Sequence, residues 1–285
     1  MIIDVFTYTQ ATPNAPFGLE ALIEAAKCAR LDGIAVTDRA SSCRAREYAE
    51  IAQREDFLVL HGVELETSSG RVVAFPSVID DAYVSEDWKS LGENPEVEDV
   101  LEYFHERGGI VIARDIYNRG EGLKDRVYSA KDSNGRGFDG IDTVSVYRRR
   151  IDNELSIEAQ QVLNVPACAG SGVFDEIQDI GHCATLFAQQ INDQAEFVSA
   201  MRGTAHWACA LRDLGQACPM GSEPKPEERE HRMDSRRPRR ENGERRDHRS
   251  RDNGGRRDNR RDSGRSDSRH GNHRGNQRRR PDKNG

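Results

Sequence analysis

The sequence predicts an α/β fold followed by a disordered C-terminal tail. Between the N-terminus and Met220, short apolar segments alternate with helical patterns of ten or more residues, which is typical of βαβ units. Beyond Met220 this pattern stops. Residues 231–285 contain no Phe, Tyr, Trp, Leu, Ile or Val, so they cannot bury enough apolar surface to offset the entropy lost on ordering.

The predicted elements follow one another along the first 202 residues. In the first helix, Leu19, Leu22, Ile23 and Ala26 share one face, and Asp32-Gly33 ends it. A later helix opens at Asn94-Pro95 and ends at Gly108-Gly109. The predicted strands are Ile2–Val5, Ile34–Thr37, Phe57–Leu65, Arg71–Phe75, Ile110–Ala113, Ile141–Val146, Pro166–Ala169 and Ala184–Phe187. The other helices are Arg44–Arg54, Asp152–Leu163 and Asp193–Arg202, and the first spans Leu19–Arg30.

Strands that alternate with helices predict a parallel sheet with right-handed crossover connections. Seven or eight such units would close into a barrel. An open, doubly wound sheet is the competing architecture, and the periodicity alone does not separate the two.

The charge distribution divides the chain into a body and a tail. The whole chain carries a net charge of −7. Residues 231–285 hold 19 Arg and one Lys against nine Asp or Glu, a net charge of +11, so residues 1–230 carry −18. We therefore expect a folded domain over residues 1–214, a Pro- and Glu-rich linker over 215–230 and a disordered Arg-rich tail over 231–285.

The cysteines and the N-terminal segment indicate a cytoplasmic protein. Six cysteines are dispersed without a Cys-x-x-Cys pair, which is typical of reduced thiols. The N-terminal sequence has no basic and apolar regions of a signal peptide. No apolar run approaches the ~20 residues that cross a bilayer, so we expect no membrane partner.

Five short motifs follow the predicted strands, where a β/α barrel places its site. They are Phe6-Thr7-Tyr8, Thr37-Asp38-Arg39, Gly62-Val63-Glu64, Ala113-Arg114-Asp115 and Gly170-Ser171-Gly172-Val173-Phe174. Their order and spacing closely resemble the PHP family, the polymerase and histidinol phosphatase domain of metal-dependent phosphoesterases, over about residues 1–212. The resemblance implies a distorted (β/α)7 barrel with a metal site at its strand ends.

The departures from the family's motifs affect the metal ligands. The family has His-x-His, Thr-Asp-His, Gly-x-Glu, Ala-His-Pro and Gly-Ser-Asp-x-His at these places. Only Asp38 and Glu64 stand as in the family, and Asp115 replaces a fourth histidine as a substitute oxygen ligand. The replaced ligand positions are Phe6, Tyr8, Arg39, Gly172 and Phe174. Because a hydrolytic cluster needs several carboxylate and imidazole donors, we expect no cofactor or, at most, a single weakly held divalent metal.

Three histidines offer an alternative. Together with the three carboxylates, His61, His182 and His206 could rebuild one weak metal site, although each is more typical of a structural histidine. Ser171 is expected to be a turn residue, because the sequence around it lacks the Gly-x-Ser-x-Gly pattern of a nucleophile elbow.

Arginines near the strand ends predict an anion site. Arg114 and the run Arg148, Arg149 and Arg150 fall at the expected mouth of the barrel, beside Arg39. Arginine holds phosphate through forked hydrogen bonds without a metal. The competing interpretation is a solvated charge run paired with Asp142, Asp152 and Glu154.

The tail is expected to bind RNA. Arginine supplies both phosphate contacts and stacking on bases, which suits single-stranded or irregular RNA. A solubilising tail without a partner is the alternative. The candidate RNA-binding residues are Arg236, Arg237, Arg239, Arg240, Arg245, Arg246, Arg256, Arg257, Arg260, Arg261, Arg278, Arg279 and Arg280.

The sequence thus favours a non-catalytic PHP-like domain that acts as an RNA-associated binding or scaffold protein. The alternative is a metal-dependent phosphoesterase of the PHP type that acts on nucleotides or nucleic-acid ends through a reduced metal site.

Overall fold

The computed structural model describes residues 1–117, 122–145 and 147–211. The predicted boundaries at residues 214 and 230 and the candidate RNA-binding arginines lie outside the described residues. The strands are β1 Ile2–Thr7, β2 Gly33–Arg39, β3 Leu58–Thr67, β4 Gly70–Phe75, β5 Ile110–Ala113, β6 Gly140–Val144, β7 Ala167–Ala169, β8 Cys183–Phe187 and β9 His206–Ala210. The α-helices are α1 Leu19–Cys28, α2 Ala45–Glu55, α3 Asp81–Val84, α4 Val97–Glu106, α5 Arg126–Ser129, α6 Arg150–Leu163 and α7 Gln194–Arg202, with 3₁₀ turns at Asp87–Leu91 and Ile177–Asp179.

The described strands form one sheet in the order β7-β6-β5-β4-β3-β2-β1-β8-β9. Four neighbouring pairs are parallel, namely β1/β2, β2/β3, β5/β6 and β6/β7. The other four pairs are antiparallel. The prediction of a parallel sheet is therefore wrong for half of the strand pairs.

Two strands, β4 and β8, run opposite to all their neighbours and account for the four antiparallel pairs. Thr67 at the end of β3 pairs with Gly70 at the start of β4, so only Ser68 and Ser69 connect them and no crossover helix fits. At the other side of the sheet, β8 pairs antiparallel with β1 and with β9. The sequence of β9, His-Trp-Ala-Cys-Ala, does not predict a strand, because polar and apolar residues do not alternate in it.

The sheet curves into a nearly closed barrel, which settles the choice that the periodicity left open. Strand β7, at one end of the sheet order, packs against β8 and β9 at the other end. At this seam the Thr185 hydroxyl accepts from Ala169 N at 3.0 Å and donates to Ala169 O at 2.9 Å. A side chain on β8 thus satisfies both backbone groups of a β7 residue.

Alternation along the strands separates two layers of core. In β4 and β5, Val73, Phe75, Ile110 and Ile112 belong to a core cluster that also includes Phe197 of α7. Their neighbours in the chain, including Val72 and Val111, pack instead with α4. Because successive side chains of a strand point to opposite faces, the first set faces the barrel interior and the second faces the surrounding helices.

Among the residues that the structure describes, the helices are too short or too polar to span a lipid bilayer.

A buried carboxyl group ties the first strand to the segment that closes the barrel. Asp4 is fully buried and accepts hydrogen bonds from the backbone N of Ser171 (2.8 Å) and Gly181 (3.0 Å) and from the Ser171 hydroxyl. Burial raises the pKa of Asp4 from 3.8 to about 6, although these hydrogen bonds act in the opposite direction. Ser171 is thus held in a structural hydrogen bond at the turn.

This arrangement predicts a pH-dependent effect of Asp4→Asn on stability. Between about pH 4 and pH 6 the folded protein holds the Asp4 proton and the unfolded chain does not. Raising the pH through this window therefore lowers the unfolding free energy of the wild type by up to roughly 3 kcal/mol at this group. The asparagine variant lacks this contribution, so its stability relative to wild type should rise from pH 4 to pH 6. Urea denaturation at several pH values measures the difference, and a pH-independent difference would contradict the assignment.

Candidate functional site at the barrel mouth

Strand alternation places the mouth residues on the interior face. Glu64 is on the same face of β3 as the interior residue Leu60. Arg114 follows β5 and is on the same face as the interior residue Ile112. On β2, Arg39 shares the parity of the interior residue Ala35. The strand register places Arg39 and Glu64 side by side at the same edge of the sheet, because the two residues pair across β2 and β3. The mouth is therefore formed by side chains that project from neighbouring strand ends toward one point.

Glu64 lies at the centre of this arrangement, and its carboxylate is 2% exposed. The Tyr8 hydroxyl donates to Oε2 at 2.5 Å, and Arg39 Nε donates to Oε1 at 2.9 Å. Arg114 Nε is 3.0 Å from Oε2, at ion-pair distance but without hydrogen-bond alignment. Both carboxylate oxygens are thus occupied by donors from the protein itself.

Arg114 is the most deeply buried cation of the mouth. Its guanidinium lies over the Phe6 ring, with Cζ 4.3 Å from the ring centroid, and its side chain is 7% exposed. Burial disfavours the charge, but the acidic groups around it, Glu64 and Asp142 among them, outweigh burial and raise the pKa of Arg114 above its usual value. Arg114 is therefore a permanent cation.

The position of Arg114 corrects one sequence assignment. Strand β5 ends at Ala113, so in Ala113-Arg114-Asp115 it is Arg114 that takes the place of the histidine in Ala-His-Pro, and Arg114 lies against Glu64. Asp115 adopts a left-handed backbone, with φ of 49°. Its carboxylate is 3.3 Å from Arg71 Nη1 and 3.5 Å from Arg148 Nε. The Asp115 carboxylate, which the sequence suggests as a substitute metal ligand, is thus paired with guanidinium groups.

Arg148 is also buried at the mouth. Its Nη2 donates to Asp142 Oδ1 at 2.7 Å and its Nη1 donates to Asp142 O at 2.9 Å. Burial raises the pKa of Asp142 to about 6, and Arg148 and Arg114 act in the opposite direction. Two polar atoms of this pair, Asp142 Oδ2 and Arg148 Nε, have no hydrogen-bond partner among the described residues.

The arginines that follow lie farther out. Arg149 forms a forked pair with Asp152, with Nε 2.7 Å from Oδ2, and is half exposed. Arg150 pairs with Glu154 at 2.8 Å on the surface of α6 and does not line the cavity at the mouth. The pairs with Asp142, Asp152 and Glu154 are those that the charge-run interpretation expects. Arg148 and Arg149 nevertheless line the cavity, whereas Arg150 does not.

Asp38 does not reach the mouth. It shares the parity of Ile34 and Val36, which pack with the helices outside the barrel. Its carboxylate accepts from Thr9 N and Thr9 Oγ1, each at 2.7 Å, and from Thr12 Oγ1 at 2.8 Å. Burial raises the pKa of Asp38, with these hydrogen bonds opposing the shift. Asp38 therefore holds the loop after β1 in place.

Aromatic residues form the walls of the mouth. Arg39 Cζ lies 5.1 Å from the Tyr8 ring centroid and 5.3 Å from that of Phe174, so the guanidinium stacks against both rings. Tyr147 is half exposed, and its hydroxyl donates to Asp179 at 2.7 Å. The central cavity has a volume of about 480 Å³. It is lined by Tyr8, Arg39, Arg71, Arg114, Asp115, Ser145, Tyr147, Arg148, Arg149, Asp152, Gly172, Phe174 and Asp175.

The three candidate histidines lie in different surroundings. His61 stacks on Tyr48, and burial lowers the pKa of His61 to about 4. His206 stacks on Phe187, with ring centroids 5.3 Å apart. His182 lies beside Asp179, 3.2 Å away. None of them lines the cavity at the mouth.

Arg71 and Tyr147 are residues of this mouth that the sequence analysis did not select. Arg71 shares the parity of Val73 and Phe75 on β4, so strand alternation is a signal that would have placed it inside. Tyr147 directly precedes the arginine run, but nothing in the local sequence indicates that its ring faces the cavity.

The residues of the mouth do not fit a cluster of divalent metal ions. Within the described ranges, no three side chains of His, Cys, Asp or Glu are grouped so that they could hold a metal ion. Glu64 and Asp115 are engaged with arginines, and Asp38 is engaged with threonines. A guanidinium beside Glu64 would also repel a divalent cation.

Comparisons with known proteins support the fold. No protein-family model and no curated protein matches the sequence. A candidate metal-dependent phosphoesterase from Bifidobacterium adolescentis has a TM-score of 0.53 at 12% identity, over 71% of this chain and 96% of that chain. A two-domain protein from Bacteroides vulgatus, which contains a predicted PHP-like metal-dependent phosphoesterase, has a TM-score of 0.55 at 12% identity, over 73% and 64% of the two chains.

A third similar structure is Endonuclease Q in complex with a 27-mer duplex that carries an abasic lesion at the active site. Its TM-score is 0.56 at 11% identity, over 71% of this chain and 57% of that chain. At these identities the similarity shows the fold alone. The fold of the described residues is PHP-like.

The buried pairs of the mouth predict a large effect of Glu64→Gln on stability. The substitution keeps the shape of the side chain but leaves Arg114 buried beside a neutral group, so we expect a loss of about 3–5 kcal/mol of unfolding free energy. The matched control is Glu154→Gln, which makes the same chemical change in the exposed Arg150–Glu154 pair and should cost less than about 0.5 kcal/mol. Denaturation with urea measures both. Equal losses in the two variants would show that the mouth network is not a stabilising charge network.

Proposed function

We propose that this chain, a PHP-like domain by its fold, is a non-catalytic, RNA-associated binding protein. The barrel presents a mouth of fixed arginines in place of a hydrolytic metal cluster and takes an anionic or phosphate-bearing ligand there. The arginine-rich C-terminal sequence contacts RNA. The observation that carries the first part is the Glu64 carboxylate, whose two oxygens are held by Arg39, Arg114 and Tyr8.

Loss of hydrolysis is supported by the chemistry of the donors. Metal-dependent hydrolysis needs ions that activate water and stabilise the charge of the transition state. Phe6 and Gly172 have no side-chain ligand for a metal, and the Tyr8 hydroxyl donates a hydrogen bond to Glu64. Arg114 supplies a positive charge but no water-derived nucleophile. The mouth therefore retains the means of holding an anion and lacks the means of activating water through a metal.

Association with RNA is supported by composition. Residues 231–285 carry a net charge of +11, almost entirely from arginine, and contain no aromatic residue. Arginine contributes phosphate contacts and stacking at once, which favours single-stranded or irregular RNA over base-specific duplex recognition.

The alternative proposal is a surviving phosphoesterase, and the similar structures favour it. The neighbours from Bifidobacterium and Bacteroides are described as metal-dependent phosphoesterases, and Endonuclease Q acts on a nucleic acid. Such an activity here would have to use a reduced set of ligands around Asp115 and Glu64.

Metal content and phosphate release distinguish the two proposals. We expect the purified full chain to hold no stoichiometric Mn²⁺, Zn²⁺ or Fe by elemental analysis. With added Mn²⁺ or Zn²⁺ it should release no more phosphate from a panel of nucleotides than its Asp38→Asn and Glu64→Gln variants do. Stoichiometric metal and phosphate release that both disappear in Asp115→Asn, while that variant keeps the wild-type circular dichroism spectrum, would establish the phosphoesterase and overturn the non-catalytic proposal.

RNA binding through the C-terminal sequence predicts a salt dependence. If about six phosphates are contacted, the logarithm of the affinity for single-stranded RNA should fall with the logarithm of salt concentration at a slope near −4. A chain that ends at Met220 should lose this binding. As a charge-matched control, replacing the arginines of residues 231–285 by lysine should keep the slope but weaken affinity, because lysine does not stack on bases. Unchanged affinity and slope after truncation would refute the role of this sequence.

A further inference from the structure

The outer face of β8 and β9 is covered at one end only. Phe187 of β8 belongs to the interior core cluster and His206 of β9 stacks on it. Their neighbours in the chain, Leu186 and Trp207, therefore point outward, and they pair with each other across the two strands. Farther along β8, Ala184 packs with α1, whereas Leu186 and Trp207 belong to none of the described core clusters and are 37% and 52% exposed. An apolar pair of side chains thus lies on the outside of the barrel without a described helix over it.

A groove of about 470 Å³ lies beside this pair, between β9 and α6. Trp207 lines it on the side of β9, and Ile157, which is 37% exposed, lines it on the side of α6. The described residues that line this groove include no Asp, Glu, Lys or Arg, although 32% of the chain is charged. None of them lines the cavity at the mouth. Leu186, Trp207, Ile157 and the groove therefore form one uncharged face, which we call the seam face.

The sequence after β9 has little with which to cover the seam face. In a β/α barrel, the helices that follow the strands cover the outside of the sheet. Residues 212–220 contain Gly215 and Pro219, the two residue types that most disfavour a helix. Residues 221–285 contain a single apolar side chain, that of Met233. The sequence therefore favours a cover that comes from another chain.

The seam face is complementary to itself. It presents an exposed indole ring, that of Trp207, directly beside an uncharged groove. In a two-fold dimer the same patch of both copies meets itself, so each ring is placed opposite the groove of the other copy. Residues 1–230 carry a net charge of −18, so two copies repel each other wherever charged surfaces meet. A face without charged residues is where this repulsion is smallest.

The exposed apolar area indicates a weak dimer. Trp207, Leu186 and Ile157 leave roughly 250 Å² of side-chain surface in water in each copy, taking 150–250 Å² for a fully exposed side chain of this size. Because about 60% of such an interface is apolar, the roughly 500 Å² from two copies corresponds to a total of about 800 Å², before the partly buried lining of the groove is counted. Interfaces at this lower end of the size range are weak or transient.

We propose that the chain forms a weak two-fold dimer through the seam face, with Trp207 of each copy in the groove of the other. The inference is independent of the proposed function, because the seam face lies on the outside of the barrel and shares no described residue with the cavity at the mouth. A dimer carries two arginine-rich C-terminal sequences, so RNA binding of the proposed kind would be bivalent in it.

Sedimentation velocity of the full chain, from about 1 to 200 µM, measures this association. Trp207→Glu places a charge in the seam face and should weaken association at least tenfold. The matched control is Val78→Glu, which adds the same charge at another exposed apolar residue, 62% exposed and outside the groove, and should associate as the wild type does. A wild type that stays monomeric at the highest concentration, or equal association of the two variants, would overturn the inference.

Tryptophan fluorescence of the wild type tests the same contact without a substitution, so it does not depend on how a variant folds. The chain has two tryptophans, of which Trp88 is 4% exposed and Trp207 is 52% exposed. Dimerisation removes water from Trp207 alone, so the emission maximum should shift to shorter wavelength over the concentration range in which the dimer forms. A dimer whose emission does not change with concentration would place the interface elsewhere and overturn the inference.

Salt dependence separates the seam face from attraction between opposite charges. Raising the salt concentration from about 0.1 to 0.5 M screens the repulsion between two acidic domains, so association through an uncharged face should become stronger. Association between the arginine-rich sequence of one copy and the acidic surface of another would become weaker under the same change. A dimer that dissociates at the higher salt concentration would therefore overturn the inference.

Discussion

The buried charge of Glu64 is the constraint on which the mouth of the barrel depends. A carboxylate that is 2% exposed loses most of its hydration, at a cost of several kcal/mol. Favourable interactions with its surroundings must offset this cost. Divalent ions are one source of compensating charge, and arginine is another. In this chain Arg114 and Arg39 supply that charge and Tyr8 supplies a hydrogen bond. Because Arg114 is itself buried, the carboxylate and the guanidinium depend on each other.

Arginines gather at one place in a domain whose net charge is negative. Residues 1–230 carry a net charge of −18, yet arginines gather at the mouth. Charges separated by more than a Debye length, about 8–10 Å, are screened at physiological salt, whereas buried groups are screened much less. The acidic surface therefore disfavours general contact with phosphate backbones. In the proposed function, the guanidinium groups of the mouth act over a short range, on a ligand inside the cavity.

Strand alternation explains how much of the fold and of the mouth the sequence predicts. Apolar runs such as Ile110–Ala113 predicted their strands, and the PHP resemblance predicted the barrel, which is confirmed. The same alternation predicts that Arg39 faces the barrel interior and Asp38 faces the helices, because Ala35 faces inward and Ile34 faces outward. Alternation does not predict which of these side chains contact each other. Whether Arg114 or Asp115 meets Glu64 depends on the local turn after β5, and the closure through Thr185 depends on the curvature of the whole sheet, which no local pattern encodes.

In this structure guanidinium groups of the protein, and not metal ions, neutralise the carboxylates of the mouth. Anomalous diffraction from crystals grown with Mn²⁺, recorded at the manganese absorption edge, would reveal any metal bound there. We expect no anomalous peak within bonding distance of Glu64 or Asp115, with Arg114 still against Glu64. Two or three strong peaks bridged by these carboxylates, with the Arg114 side chain displaced, would contradict it.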